Sequence, residues 1–276
     1  MTRGFSLVEM LISLALMVTL TGAVMHLVLA GQRMARVQPE AADQQQRTRV
    51  ALQAFARDVA RAGAGLDAGI RAGPLQQFFA SVTPSADGGI TVWYVSSREA
   101  QATLATTAGP TIAQLTIAPN AVCPPAQPAC AFAAGTTVIL FDASGCHDVL
   151  RIDTVTLTTI QVRAPPACTY ATGSAVAQGE VRTYRVDRAA RQLVRRDEAT
   201  GIDLPVLDGV DAMDVDYFDD VVTANPAPVD PALNVRAIRR LRARMRFAAS
   251  LGGLVPDLIV AIDVTPPNLV LRQVLR

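Results

Sequence analysis

Lysine is absent from this 276-residue chain; all 25 of its basic side chains are arginine, a bias that reflects genome composition or secretion history more than chemistry. Histidine is nearly absent. Two residues, His26 and His147, cannot supply a histidine-based metal centre or an obvious Ser-His-Asp arrangement. No glycine loop of the phosphate-cradling type occurs, and no Gly-x-Ser-x-Gly turn. The four cysteines, Cys123, Cys130, Cys146 and Cys168, include no Cys-x-x-Cys pair and no zinc-ligand spacing with histidine. Asp214, Asp216, Asp219 and Asp220 are close in sequence but lack the spacing and central glycine of a calcium-binding EF-hand loop. These absences leave no residue set that argues for catalysis, so no enzyme activity, metal or cofactor is expected.

Half of the residues are apolar, enough for a sizeable core in one large domain or two small ones, and disorder is excluded. The net charge of +1 gives no general attraction to nucleic acid or anionic membrane. The charge is unevenly placed, however. Residues 197–235 hold ten acids and no base, whereas residues 236–276 hold eight arginines and two aspartates.

From Phe5 to Ala30 run 26 residues in which only Glu9 and His26 are ionisable. As a helix at ~1.5 Å per residue this stretch reaches ~39 Å, longer than the ~30 Å hydrocarbon core of a bilayer. Arg3 precedes it and Arg33 and Arg36 follow it, so flanking charge divides on orientation. A secretory signal peptide is the alternative, because Val28-Leu29-Ala30 presents compact residues where a signal peptidase reads; cleavage there would release an exported binding domain. The apolar run is longer than the usual ~7–15 residues of such a peptide, and it carries an acid near its start. A carboxylate costs roughly 2.5–3.5 kcal/mol at a helix centre on insertion scales and less near an end. Glu9 therefore calls for a cation.

The block Gly4-Phe5-Ser6-Leu7-Val8-Glu9-Met10-Leu11-Ile12-Ser13-Leu14 resembles the type IV prepilin signature: a short basic leader ending in glycine, a phenylalanine that becomes the new N-terminus, and a glutamate at the fifth mature position. The resemblance implies that a prepilin peptidase cuts between Gly4 and Phe5 on the cytoplasmic face and methylates the Phe5 amine. It also implies that Glu9 finds its cation in the Phe5 amine of a neighbouring subunit during filament assembly. An unpaired charge in lipid is unfavourable, and pairing supplies register as well as attraction.

The polar stretch that follows keeps helical periodicity, with Val50, Leu52, Phe55, Val59 and Ala62 spaced to form one apolar face. Pro39 is a candidate kink, and Gly63 and Gly65 are candidate stops. The phrase QQQRTRVALQAFARDVARAGAG, with its Arg57-Asp58 pair, resembles the helix end of PilW-type minor pilins and of J-type minor pseudopilins of type II secretion.

Beyond residue 66 short β runs alternate with Gly, Pro, Ser and Asn loops, the clearest at 90–96, 113–118, 136–142, 149–153, 155–163, 180–187 and 213–218. The expected fold is α+β, a long N-terminal helix on a mostly antiparallel sheet. Its organisation is a leader (1–4), a membrane and assembly helix (5–30), an amphipathic continuation (31–65) and a β-rich domain (66–276). An even cysteine count behind an apolar segment points to export and to disulfides. Three pairings are open; Cys123 with Cys130 would pin the loop CPPAQPAC, leaving Cys146 with Cys168 to tie the hairpin at 149–163.

Residues 241–247 alternate strictly, with Arg242, Arg244 and Arg246 on one face and Leu241, Ala243, Met245 and Phe247 on the other. Asp214-Val215-Asp216-Tyr217 alternates likewise, so antiparallel pairing would set acids opposite arginines. The sharper alternative is an arginine face that meets another pilin or DNA phosphates. Interleaved surface aromatics are lacking, so nucleic acid is not the expected partner. The segments 210–218 and 235–242 again resemble the C-terminal half of PilW-type proteins.

Together the resemblances imply a minor pilin that helps to prime type IV pilus assembly, with the pilus tip as a candidate position and a J-type pseudopilin as the alternative. The implied partners are other minor pilins, the major pilin, the prepilin peptidase and an inner-membrane assembly platform. The implied location is the inner membrane, crossed once with the N-terminus cytoplasmic and the domain in the periplasm, and then the cell-surface pilus.

Overall fold

The computed structural model describes residues 7–66, 73–85, 87–95, 100–198, 200–220, 228–247 and 257–270. The chain divides into two units, residues 1–50 with 249–257 and residues 51–248 with 258–276. Helix α1, Leu7–Arg61, is a continuous run of 55 residues that belongs to both. It continues through Pro39 and is not interrupted there. Proline has no N–H to donate and its ring crowds the preceding turn, but the helix surface around it is largely exposed, where water can take up a freed carbonyl.

Residues 51–61 of α1 lie in the second unit and present Ala51, Phe55, Asp58 and Val59 as a buried stripe, which Ala62 extends. The spacing i, i+4, i+8, i+11 keeps these side chains on one face. Val50, expected on that face, is 56 % exposed: it sits one residue, and so about 100° of helix rotation, away from Ala51. Leu52 is half-buried against the same core. The helix stops at Gly63, whose φ of +81° is a conformation open to glycine; a Cβ there would lie 3.0 Å from Ser81 Oγ and 3.1 Å from Leu269 Cδ2.

Among the described residues thirteen strands follow: β1 Val82–Pro84, β2 Ile90–Val95, β3 Gln101–Thr103, β4 Gln114–Thr116, β5 Thr137–Phe141, β6 His147–Val155, β7 Thr159–Val162, β8 Ala175–Asp187, β9 Gln192–Asp197, β10 Ile202–Asp208, β11 Val210–Phe218, β12 Arg240–Phe247 and β13 Leu258–Val264. Every pairing is antiparallel. The larger sheet runs β1-β2-β8-β5-β6-β7-β4, with β3 and β9 also on β8 and β10 on β9. The smaller is β11-β12-β13. The thirteen-residue β8 organises the larger sheet because its two halves serve different neighbours. Residues 175–178 pair β3 and β5, and residues 179–187 pair β2 and β9. Gly179 sits at the changeover, where a Cβ would meet Ile139 Cδ1 at 2.5 Å.

The expected runs 149–153 and 155–163 form one hairpin in which Val155 ends β6 and residues 156–158 turn. The runs at 113–118 and 136–142 are each shorter at both ends, and Ser96 lies outside the described residues. Among the described residues the core of the second unit forms three clusters. In the first, Phe55 of α1 meets Tyr184 of β8 edge-on at 5.0 Å, and the core-facing row of β12 (Leu241, Ala243, Met245, Phe247) is fully buried.

Candidate functional site

The membrane-type segment is Leu7–Gln32, 26 residues long and apolar enough to cross a bilayer by length and composition. None of it is buried within the protein. Leu7, Met10, Leu11, Ile12, Leu14 and Met17 are all more than half exposed, an apolar surface that water does not tolerate over such a length. Its hydroxyls are internally satisfied: Ser13 donates to the Glu9 carbonyl at 2.9 Å, Thr19 to that of Leu16 at 2.9 Å and Thr21 to that of Met17 at 2.7 Å. Such back-bonding is how hydroxyl side chains are carried through an apolar medium. Glu9 lies on this exposed helix surface. Gly4 and Phe5, the expected cleavage and methylation positions, lie outside the described residues.

The four cysteines form two disulfides, Cys123–Cys130 with Cα atoms 5.8 Å apart and Cys146–Cys168 at 6.5 Å. Both fit an oxidising compartment. The first closes the proline-rich loop, aided by Asn120, whose Oδ1 accepts from the Val122 and Cys123 amides while its Nδ2 donates to the Pro128 carbonyl. The second joins the start of β6 to the segment before Tyr170. There the Asp148 carboxylate accepts from the Cys168 amide at 3.1 Å and from the Tyr170 hydroxyl at 2.8 Å.

His147 is a half-buried histidine packed among aromatic rings. Its ring stacks on Phe79 at 4.2 Å with 10° between planes and meets Trp93 edge-on. Burial lowers its pKa below the ordinary 6.5, holding the ring neutral.

The arginine face of β12 is part of a charge ladder. Arg244 pairs with Asp216 at 3.0 Å and Arg242 with Asp263 at 3.0 Å, while Arg240 stacks over the Phe218 ring at 4.9 Å. Asp214 and Asp216 thus stand in register with Arg244 and Arg242 rather than grouping into a cation site. Among the described residues no three His, Cys, Asp or Glu side chains group to hold a metal.

The sequence gives no hint of the part played by Asp58. This buried carboxylate on α1 accepts from the Tyr184 hydroxyl at 2.6 Å and from Arg182 at 3.4 Å, with Arg195 3.7 Å away. Arg182 also pairs with Glu180, which accepts from Tyr94 at 2.9 Å. One buried anion so joins the helix to β8 and β9.

No protein family, curated protein or solved structure matches the chain. The functional reading therefore rests on the chain's own sequence and geometry.

Proposed function

We propose that this chain is a type IV pilin-like minor pilin that takes part in priming pilus assembly, acting where the filament begins. The observation that carries this reading is a conjunction. The block GFSLVE opens a 26-residue apolar surface, and the helix bearing that surface continues unbroken into the stripe that packs in an antiparallel, disulfide-bonded domain. A signal peptide cut after Ala30 would sever that helix in mid-course.

In this reading the exposed segment rests in the inner membrane until assembly, cleavage after Gly4 frees the Phe5 amine, and Glu9 pairs with the methylated amine of an adjoining subunit. A carboxylate in lipid is costly alone and favourable when paired, so subunits dock only in the register that joins the two. Other minor pilins, the major pilin and an assembly platform are the partners. The stretch 44–65 resembles J-type pseudopilins as well as PilW-type pilins, which supports a secretion pseudopilus as the second reading; the protein recovered with this chain, pilus subunit or secretion subunit, separates the two.

The test is Glu9→Leu in the native host. Membrane insertion and processing are expected to be unchanged, while recovery of the chain in purified filaments falls at least several-fold. Recovery equal to wild type contradicts the role given to Glu9.

A further inference from the structure

The outer edges of both sheets are blunted, with one exception. Strand β1 has three residues and ends in Pro84; β4 has three residues. Strand β10 contains Pro205 and shifts register beside it. Strand β11 shifts register between Val210 and Ala212, and Val229 caps its far end by donating to the Tyr217 carbonyl. Proline, brevity, bulges and capping are the devices that keep sheet edges from pairing with other chains.

Strand β13 has none of these. Its seven residues hold unbroken register with β12 from Phe247↔Leu258 to Leu241↔Val264. Six of the seven are apolar and none is proline or basic. Among the described residues no strand pairs with its other edge. Its core-facing row is also incompletely covered: Val260 and Ile262 pack on the core yet stay half-exposed, and Leu258 is 41 % exposed. Among the described residues the smaller sheet ends at β13 with this row only partly covered.

We propose that a second copy of this chain supplies that strand. Two β13 edges pair antiparallel about Ala261 and fuse two three-stranded sheets into one of six. The sequence Leu-Ile-Val-Ala-Ile-Asp-Val fits itself in this register. Ala261 meets Ala261 of the second copy at the axis, Val260 meets Ile262, and Leu258 meets Val264, all on matching faces. On the outer face Ile259 meets Asp263 of the other copy, so no acid opposes an acid. Asp263 is already held by Arg242 at 3.0 Å and lies 4.0 Å from Arg240, so its charge is balanced within its own sheet. The arrangement is a closed two-fold, which buries both edges at once. It is independent of the pilin reading, since it invokes neither Glu9 nor processing.

The test uses the full-length chain in native membranes. All four natural cysteines are paired, so Ala261→Cys introduces a single thiol. Oxidation is expected to convert this variant to a homodimer at least tenfold more efficiently than Ile259→Cys, whose two copies would stand about 13 Å apart, four residues of strand. Mixing Ile259→Cys chains with Asp263→Cys chains should restore the crosslink, and this pair also serves should Ala261→Cys fail to accumulate. Equal crosslinking of Ala261→Cys and Ile259→Cys, monomer throughout, or a product joining Ala261→Cys to a different protein overturns the proposal.

Discussion

Asp58 ties a helix to a sheet through one carboxylate. It is 8 % exposed at the side chain, with a tyrosine hydroxyl and two guanidinium groups arranged around it. Its removal strands cations in a partly dehydrated site, and breaking such a pair costs more than the pair contributes. Asp58→Asn, which keeps the size and loses the charge, is expected to lower unfolding free energy by about 2–3 kcal/mol. Urea unfolding of the detergent-solubilised chain checks this; a loss below about 1 kcal/mol would mean that solvent already screens the site. The tyrosines make a second prediction. All four, Tyr94, Tyr170, Tyr184 and Tyr217, are pushed above their ordinary pKa of 10.0, with burial the first cause in each. Carboxylates add to the push on Tyr94, Tyr170 and Tyr184. The folded state favours the neutral phenol at each of the four. Because the unfolded chain ionises near pH 10, this stabilisation is whole below that pH and declines as pH rises beyond it. Phenolate absorbance should therefore appear together with loss of near-ultraviolet dichroism, in one cooperative step; tyrosines that titrate near pH 10 while the fold persists would contradict it.

Strands rich in β-branched residues and bounded by turn signals are legible in sequence, as β2, β5, β6 and β8 show. Others are not. Strand β9 reads Gln-Leu-Val-Arg-Arg-Asp and β10 contains proline, so pairing rather than local preference makes them strands. The apolar run of β13 hides the alternation that a half-buried strand shows. The buried face of α1 is legible to within one residue: Phe55, Val59 and Ala62 lie on it as expected, Ala51 takes the place of Val50, and Asp58 joins them. The role of Asp58 is invisible because its partners lie 124 and 126 residues away in sequence. The disulfides act at this scale by closing loops. The Cys146–Cys168 separation of 22 residues exceeds the 7 of Cys123–Cys130, so the first constrains the unfolded chain more. Loop-closure entropy gives about 3.4 kcal/mol against about 2.4 kcal/mol. Paired serine substitutions at 146 and 168 should therefore destabilise by about 1 kcal/mol more than those at 123 and 130, read as the difference in unfolding free energy. The reverse order would show that strain or residual structure outweighs closure.

At the scale of the whole molecule, one helix has two kinds of surface. Its first part is an apolar surface that the protein leaves uncovered, and its last turns supply Phe55, Asp58 and Val59 to the core of the second unit. The glutamate in the opening block is readable from sequence; its partner is not, because the proposed cation belongs to another subunit. The processing event itself is the most direct test. The intact mass and N-terminal residue of the protein purified from its native host should show a chain that begins at Phe5 and carries one added methyl group. A chain that begins at Gly31, or that still carries Met1, would contradict the account.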